Sequence, residues 1–135
     1  MRNLDDITEG IIDVAIHIHR DLGPGLLESV YDAVLARALD KRGFHVERHV
    51  AVRFEYEGLV FDEGFRVDLL VEHEVIVELE SVERCAPAHS KLLLTHLRLT
   101  NKFVGLLINF GATRSRRDCT AWSTISTPPR PRASA

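Results

Sequence analysis

Cysteine is scarce. The chain carries only Cys85 and Cys119, which form no CxxC, so neither a disulfide framework nor a zinc knuckle is supported and both read as reduced thiols. Long apolar runs are missing as well: stretches such as Val104–Ile108 fall far short of the roughly 20 residues that a membrane helix needs. The N-terminus, MRNLDDITEG, lacks the basic-then-apolar order of a secretory leader, so a cytoplasmic protein with no membrane partner is expected. There is no large excess of either charge. A formal net charge of -3 argues against coating nucleic acid by bulk electrostatics and leaves room for a local basic patch. No internal repeat occurs, and 135 residues suffice for one buried core but not for two ordinary ones.

What is present is the balance of a globular protein, with 45% hydrophobic and 27% charged residues. Ile7, Ile11, Val14, Ala15, Ile18 and Leu22 recur at spacings of three and four, which predicts a helix from Leu4 that stops at Gly23-Pro24-Gly25. A second helix is expected from about Leu26 to Arg42, with Leu27, Val30, Tyr31, Val34, Leu35 and Leu39 or Ala38 on its apolar face and Gly43 as its stop. The period then changes. Phe44, Val46, Arg48, Val50, Val52, Phe54 and Tyr56 alternate with polar residues, the mark of one long strand with one buried face. Phe65–Val71 and Val75–Leu79 alternate in the same way, a helix is expected from Pro87 to about Asn101, and Phe103–Phe110 reads as a buried strand. That crossover helix should place the last strand parallel to Val75–Leu79. The expected organisation is a single α/β domain over 1–126, followed by a disordered Pro-, Arg- and Ser-rich tail over 127–135.

The hairpin register brings chemistry into view. With Glu72-His73-Glu74 as its loop, Val71 faces Val75, Leu69 faces Val77 and Val67 faces Leu79, so apolar partners meet throughout. The other face then pairs Asp68 with Glu78, Arg66 with Glu80 and Leu70 with Ile76. A loop of even length would instead mix carboxylates into the apolar side. Two like charges opposite each other destabilise a sheet unless something neutralises them, and an oxygen-rich site suits Mg²⁺ or Mn²⁺. Ordinary edge-strand carboxylates would be the alternative, as would an Arg66–Glu80 ion pair for Glu80. Among the histidines, His17 and His19 point in different directions on a helix, and His45 and His49 share a strand face with Glu47 that reads as solvated. His89 and His96 lie seven apart on one helix. The run Arg114, Arg116 and Arg117 reads as a solvated loop that could contact phosphate.

The segment His19-Arg20-Asp21-Leu22-Gly23-Pro24-Gly25-Leu26-Leu27-Glu28-Ser29-Val30-Tyr31 resembles the signature of the GxxExxY protein family, with Gly25, Glu28 and Tyr31 in the named positions. Glu63–Glu72, Val75–Leu79, His89–Thr100 and Gly105–Phe110 resemble its later blocks in consistent order. The resemblance implies a PD-(D/E)XK nuclease-like α/β fold, a mixed central sheet flanked by helices. It also implies a divalent-metal site of Glu28, Asp68 and Glu78, with Mg or Mn serving phosphodiester hydrolysis on DNA or RNA. Taken alone, Glu28 would be a carboxylate placed by the helix dipole. Tyr31, Arg66 and His89 are the expected substrate-side residues.

The sequence departs from that pattern at two places. The family usually has Lys two residues after the second-strand Glu, and here Glu80 stands there; a Gln common in the next helix corresponds to Leu92. Glu80 then joins Asp68 and Glu78 as a candidate catalytic residue, as a metal ligand or a general base. The alternative is a catalytically degenerate module that binds nucleic acid or protein. A purely structural oligomerisation domain has the least support, and no motif specifies an oligomeric state.

Overall fold

A computed structural model describes residues 3–84, 86–111 and the backbone of 122–126. Helix α1 (Leu4–Leu22) begins where the Asn3 side chain accepts the Asp6 N–H at 2.8 Å, and it buries Ile7, Ile11, Val14, Ala15 and Ile18. It ends at Gly23, whose φ of 75° suits a residue without Cβ. Helix α2 (Glu28–Lys41) buries Tyr31, Asp32, Leu35, Ala36 and Leu39. Its inward face is rotated from the expected one: Leu27, Val30 and Val34 are exposed, and the acidic Asp32 lies inside.

The central sheet runs β1 (Val46–Ala51), β4 (Arg66–Val71), β5 (Val75–Glu80), β6 (Val104–Asn109) and β7 (Trp122–Ser126), and a separate hairpin joins β2 (Phe54–Tyr56) to β3 (Leu59–Phe61). The β4–β5 loop is Glu72–Glu74, with Val71 opposite Val75 and Leu69 opposite Val77 as the apolar pairing predicts. Helix α3 (Pro87–Thr100) carries the chain back so that β6 lies parallel to β5, while the other neighbours in the sheet are antiparallel. Strand β7 is an addition that the hydrophobic pattern does not announce. The mixed sheet has α1 and α2 on one face and α3 on the other, which explains why both faces of β5 are buried. Among the described residues, no helix is long and apolar enough to cross a membrane.

The single long strand expected over Phe44–Tyr56 breaks. His49 adopts φ 53°, a left-handed conformation that a strand does not use, although the β1–β4 register is the same on either side of it. The sheet face changes at that point. Val46, Leu69 and Val71 pack with α1 and α2, whereas Val50, Val52 and Val67 pack with α3. Val67 therefore leaves the face it was expected to share with Leu69, and Phe65, expected in the core, is 43% exposed. The tail at 127–135, Cys85, Cys119 and the Arg114–Arg117 run lie outside the described residues.

A buried amide ties the end of β6 to the segment leaving β5. Asn109 accepts the Val82 N–H at 3.1 Å and the Gly111 N–H at 2.9 Å through Oδ1, and it donates from Nδ2 to the Val82 carbonyl at 2.9 Å. This brings Gly111 so close that a Cβ would overlap the Val82 backbone N and O. Gly111→Ala is expected to lower unfolding free energy by about 1–3 kcal/mol, the usual cost of overpacking against backbone. Urea denaturation measures it, and an unchanged midpoint would contradict the close approach.

Candidate acidic site at the open end of the sheet

The loop before α2 is held from three directions. Gly25 N–H donates to the Phe110 carbonyl at 3.2 Å, and the Ser81 hydroxyl donates to the Leu26 carbonyl at 2.5 Å. Tyr31 supplies the third hold: its hydroxyl donates to Gly23 O at 2.6 Å and accepts from Leu26 N at 3.0 Å, while its ring stacks on Phe110 at 4.3 Å. Fully buried and committed to the loop, Tyr31 positions the start of α2 and has no hydroxyl proton left to give a ligand. The loop sets Glu28, the first residue of α2, near the end of β5, where its carboxyl raises the proton affinity of Glu80.

Asp68 and Glu78 are the second acidic pair, near enough for Glu78 to raise the proton affinity of Asp68. Asp68 Oδ2 also accepts the Leu79 N–H at 2.8 Å. The antiparallel pairing of β4 and β5 runs from Val71–Val75 to Leu69–Val77, and beyond it this side chain takes an N–H that the ladder would otherwise use. The strands thus part where the carboxylates gather.

Burial raises the Asp68 pKa to about 7, opposed by the Leu79 N–H and reinforced by Glu78 and the charge of Asp32. Burial likewise raises Glu80 to about 8, with Glu28 and the charges of Asp68 and Glu78 adding to the effect. Protons thus occupy positions where the acidic groups would otherwise repel one another.

Glu80 does not pair with Arg66 as the register suggested. The Arg66 guanidinium reaches the His49 carbonyl at 3.5 Å, while Glu80 Oε2 lies 3.8 Å from His89 Nε2. The Ala86 N–H donates to His89 Nδ1 at 3.0 Å, which leaves the ring proton on Nε2, the nitrogen facing Glu80. One face of α3 reaches the acidic site twice: two turns after His89, His96 Nδ1 lies 2.5 Å from Glu78 Oε1, both side chains almost fully buried. The seven-residue spacing was visible in the sequence, but the strand opposite it was not. Leu92, on the same helix, is 41% exposed.

Sequence reasoning also missed Asp32. Buried on α2, it receives Arg48 Nε and Nη2 on Oδ1, each at 2.8 Å, and its Oδ2 lies 3.6 Å from His49 Nε2. Two signals pointed to it: Asp32 comes one helical turn after Glu28, and Arg48 interrupts an otherwise apolar row in β1. His49, exposed as expected, also lies with Asp32 and Asp68, and the three donor atoms lie within 4.8 Å of one another. Among the described residues Glu28, Asp68 and Glu78 do not close to that distance as a set; Glu28 meets Glu80, and Asp68 meets Glu78.

As a donor set these carboxylates suit a divalent cation: oxygen-rich, partly buried, and carrying protons where a cation would supply charge.

The sequence profile of the PD-(D/E)XK nuclease superfamily matches residues 5–120. Comparison with curated proteins and with solved structures gave no match.

Without divalent ions the two raised pKa values fix a pH dependence. The folded protein keeps protons on Asp68 and Glu80 that the unfolded chain releases near pH 4. Their stabilising contribution is full below that pH and is lost as pH rises through about 7 for Asp68 and about 8 for Glu80. Melting temperature in chelator is expected to fall by several degrees across this window, and to fall less in Asp68→Asn. A wild-type melting temperature that rises there, or an equal fall in the variant, would contradict the protonated cluster.

Proposed function

The chain belongs to the PD-(D/E)XK nuclease superfamily, and from that premise we propose that it is a divalent-metal-dependent phosphodiesterase acting on nucleic acid at the Glu28, Asp68, Glu78 and Glu80 cluster. The observation that carries this reading is the two neighbouring acidic pairs, Asp68 with Glu78 and Glu28 with Glu80, beyond the last paired residues of β4 and β5, with Glu80 ionising at about 8. A divalent ion held there would supply Lewis-acid polarisation and charge neutralisation at a phosphodiester.

The protein's own groups have separable tasks. Asp68 and Glu78 would hold the cation; Asp68 is oriented by the Leu79 N–H and Glu78 by His96. Glu80, ionising near neutral pH, is suited to take a proton from an attacking water, which is how the residue standing at the usual Lys position becomes useful. His89 presents its Nε2–H beside Glu80, where it can donate to a phosphate oxygen, and the exposed Arg66 lies at the strand end as a phosphate contact. Tyr31 serves indirectly by holding the loop that aims Glu28. The resemblance to GxxExxY proteins agrees with this assignment at Gly25, Glu28 and Tyr31.

The test uses labelled single- and double-stranded DNA and RNA with Mn²⁺. Wild type is expected to cut at least one of them. Asp68→Asn and Glu80→Lys should each lose more than about 100-fold in rate, as expected when a group acting in the transition state is removed. Cleavage that persists in Asp68→Asn is contamination. An inert wild type that gains Mn²⁺-dependent cleavage in Glu80→Lys would replace this reading with a degenerate nuclease module.

A further inference from the structure

At the other end of the β4–β5 hairpin a second group of ligating side chains meets, separate from the acidic site. His45, just before β1, points Nε2 at Glu47 Oε1 from 3.1 Å, and His73, in the hairpin turn, points Nδ1 at the same oxygen from 3.2 Å. The three donor atoms lie within 4.8 Å of one another, and the two imidazole rings face each other at 4.5 Å. We propose that His45, Glu47 and His73 form a binding site for a borderline divalent transition-metal ion, of the Zn²⁺, Co²⁺ or Ni²⁺ class, that ties the hairpin turn to the start of edge strand β1.

Three features carry the inference. The first is spacing: metal–donor bonds of about 2.0–2.2 Å at tetrahedral angles put neighbouring donors roughly 3.4 Å apart. The His–Glu separations of 3.1 and 3.2 Å are already close to that value. The second is donor chemistry. Two neutral imidazoles and one carboxylate select borderline ions over Mg²⁺ and Ca²⁺, which prefer all-oxygen sets.

The third is a frame that exists before any ion binds. His45 and Glu47 are two apart in the chain and lie on one face, opposite Val46, which packs into the core. The turn that carries His73 is fixed to them by two hydrogen bonds: Glu72 N–H donates to the His45 carbonyl at 2.8 Å, and His45 N–H donates to Glu72 Oε2 at 3.2 Å. Glu72 and His73 hold left-handed backbone, with φ of 53° and 57°, and this is how the turn delivers the His73 ring onto β1. The side chains remain partly exposed, at 53%, 38% and 67% for His45, Glu47 and His73, so an ion has access and a water can complete the coordination. His73 joins His45 and Glu47 only once the hairpin closes, so along the chain the latter two read as a solvated strand face.

The site is tested by titrating Zn²⁺ calorimetrically and by recording the visible absorption of Co²⁺ in wild type, His45→Ala, His73→Asn and Asp68→Asn. Asn tolerates left-handed backbone, so His73→Asn removes the imidazole and keeps the turn. Wild type and Asp68→Asn are expected to show the same intense four-coordinate Co²⁺ bands and the same tightest Zn²⁺ affinity. The bands should vanish in both histidine variants, and that affinity should fall by more than about 100-fold, beyond the loss seen for removal of an outer-shell partner. Retention of the bands or the affinity in His73→Asn would overturn the site. Loss of both in Asp68→Asn alone would place the ion in the acidic cluster and overturn it equally. The proposal does not depend on nuclease activity, so an inert enzyme leaves its outcome unchanged.

Discussion

Asp68 accepts the Leu79 N–H at 2.8 Å, and much of the architecture around the acidic site depends on that bond. A backbone donor in a buried sheet must have a partner. By supplying it from a side chain, Asp68 lets β4 and β5 separate without leaving an orphaned N–H, beside Glu78 and one strand repeat along β5 from where Glu80 meets Glu28 at the start of α2. The same bond holds the Asp68 carboxyl in a partly buried position, so that desolvation and the charges of Glu78 and Asp32 act on it together. Crowded acids of this kind are destabilising unless protons or cations neutralise them, and the raised proton affinities of Asp68 and Glu80 are one solution.

The two faces of the sheet divide the work. On one face α1 and α2 build the larger core, and Tyr31, stacked on Phe110, locks the glycine-bearing loop that presents Glu28. On the other, α3 covers β5 and brings two imidazoles to it, His96 onto Glu78 and His89 onto Glu80. Glu78 is almost fully buried, and a buried carboxylate without a hydrogen-bond partner would be far costlier than one that has it. Helix α3 therefore does more than cross between parallel strands: it carries the imidazole that partners the buried Glu78.

Where hydrophobic pattern dictated structure, the sequence was sufficient. The period of α1, the three-residue hairpin loop and the parallel pairing of β5 with β6 all derive from apolar spacing and chain connection. Pattern failed at His49. One residue in left-handed backbone exchanges the faces of β1, so an alternation that reads as a single long strand serves two different cores. The nearness of Asp68 to Glu78 was legible because both follow directly on the Leu69–Val77 pair of the hairpin. Asp32, His49 and His96 were not, because their partners come from other elements and periodicity along one element carries no information about what packs across it. Arg48 was the overlooked clue, since it interrupts an apolar row and its guanidinium meets the buried Asp32.

The central claim is that protons on Asp68 and Glu80 stand where a divalent cation binds, and proton release measures it most directly. Mn²⁺ is titrated calorimetrically into the His73→Asn protein, so that the imidazole site is removed, in buffers of different ionisation enthalpy. The account predicts net proton release at neutral pH and an affinity that rises as pH climbs through about 7 and about 8. Binding that releases no protons and has the same affinity on both sides of that window would contradict it.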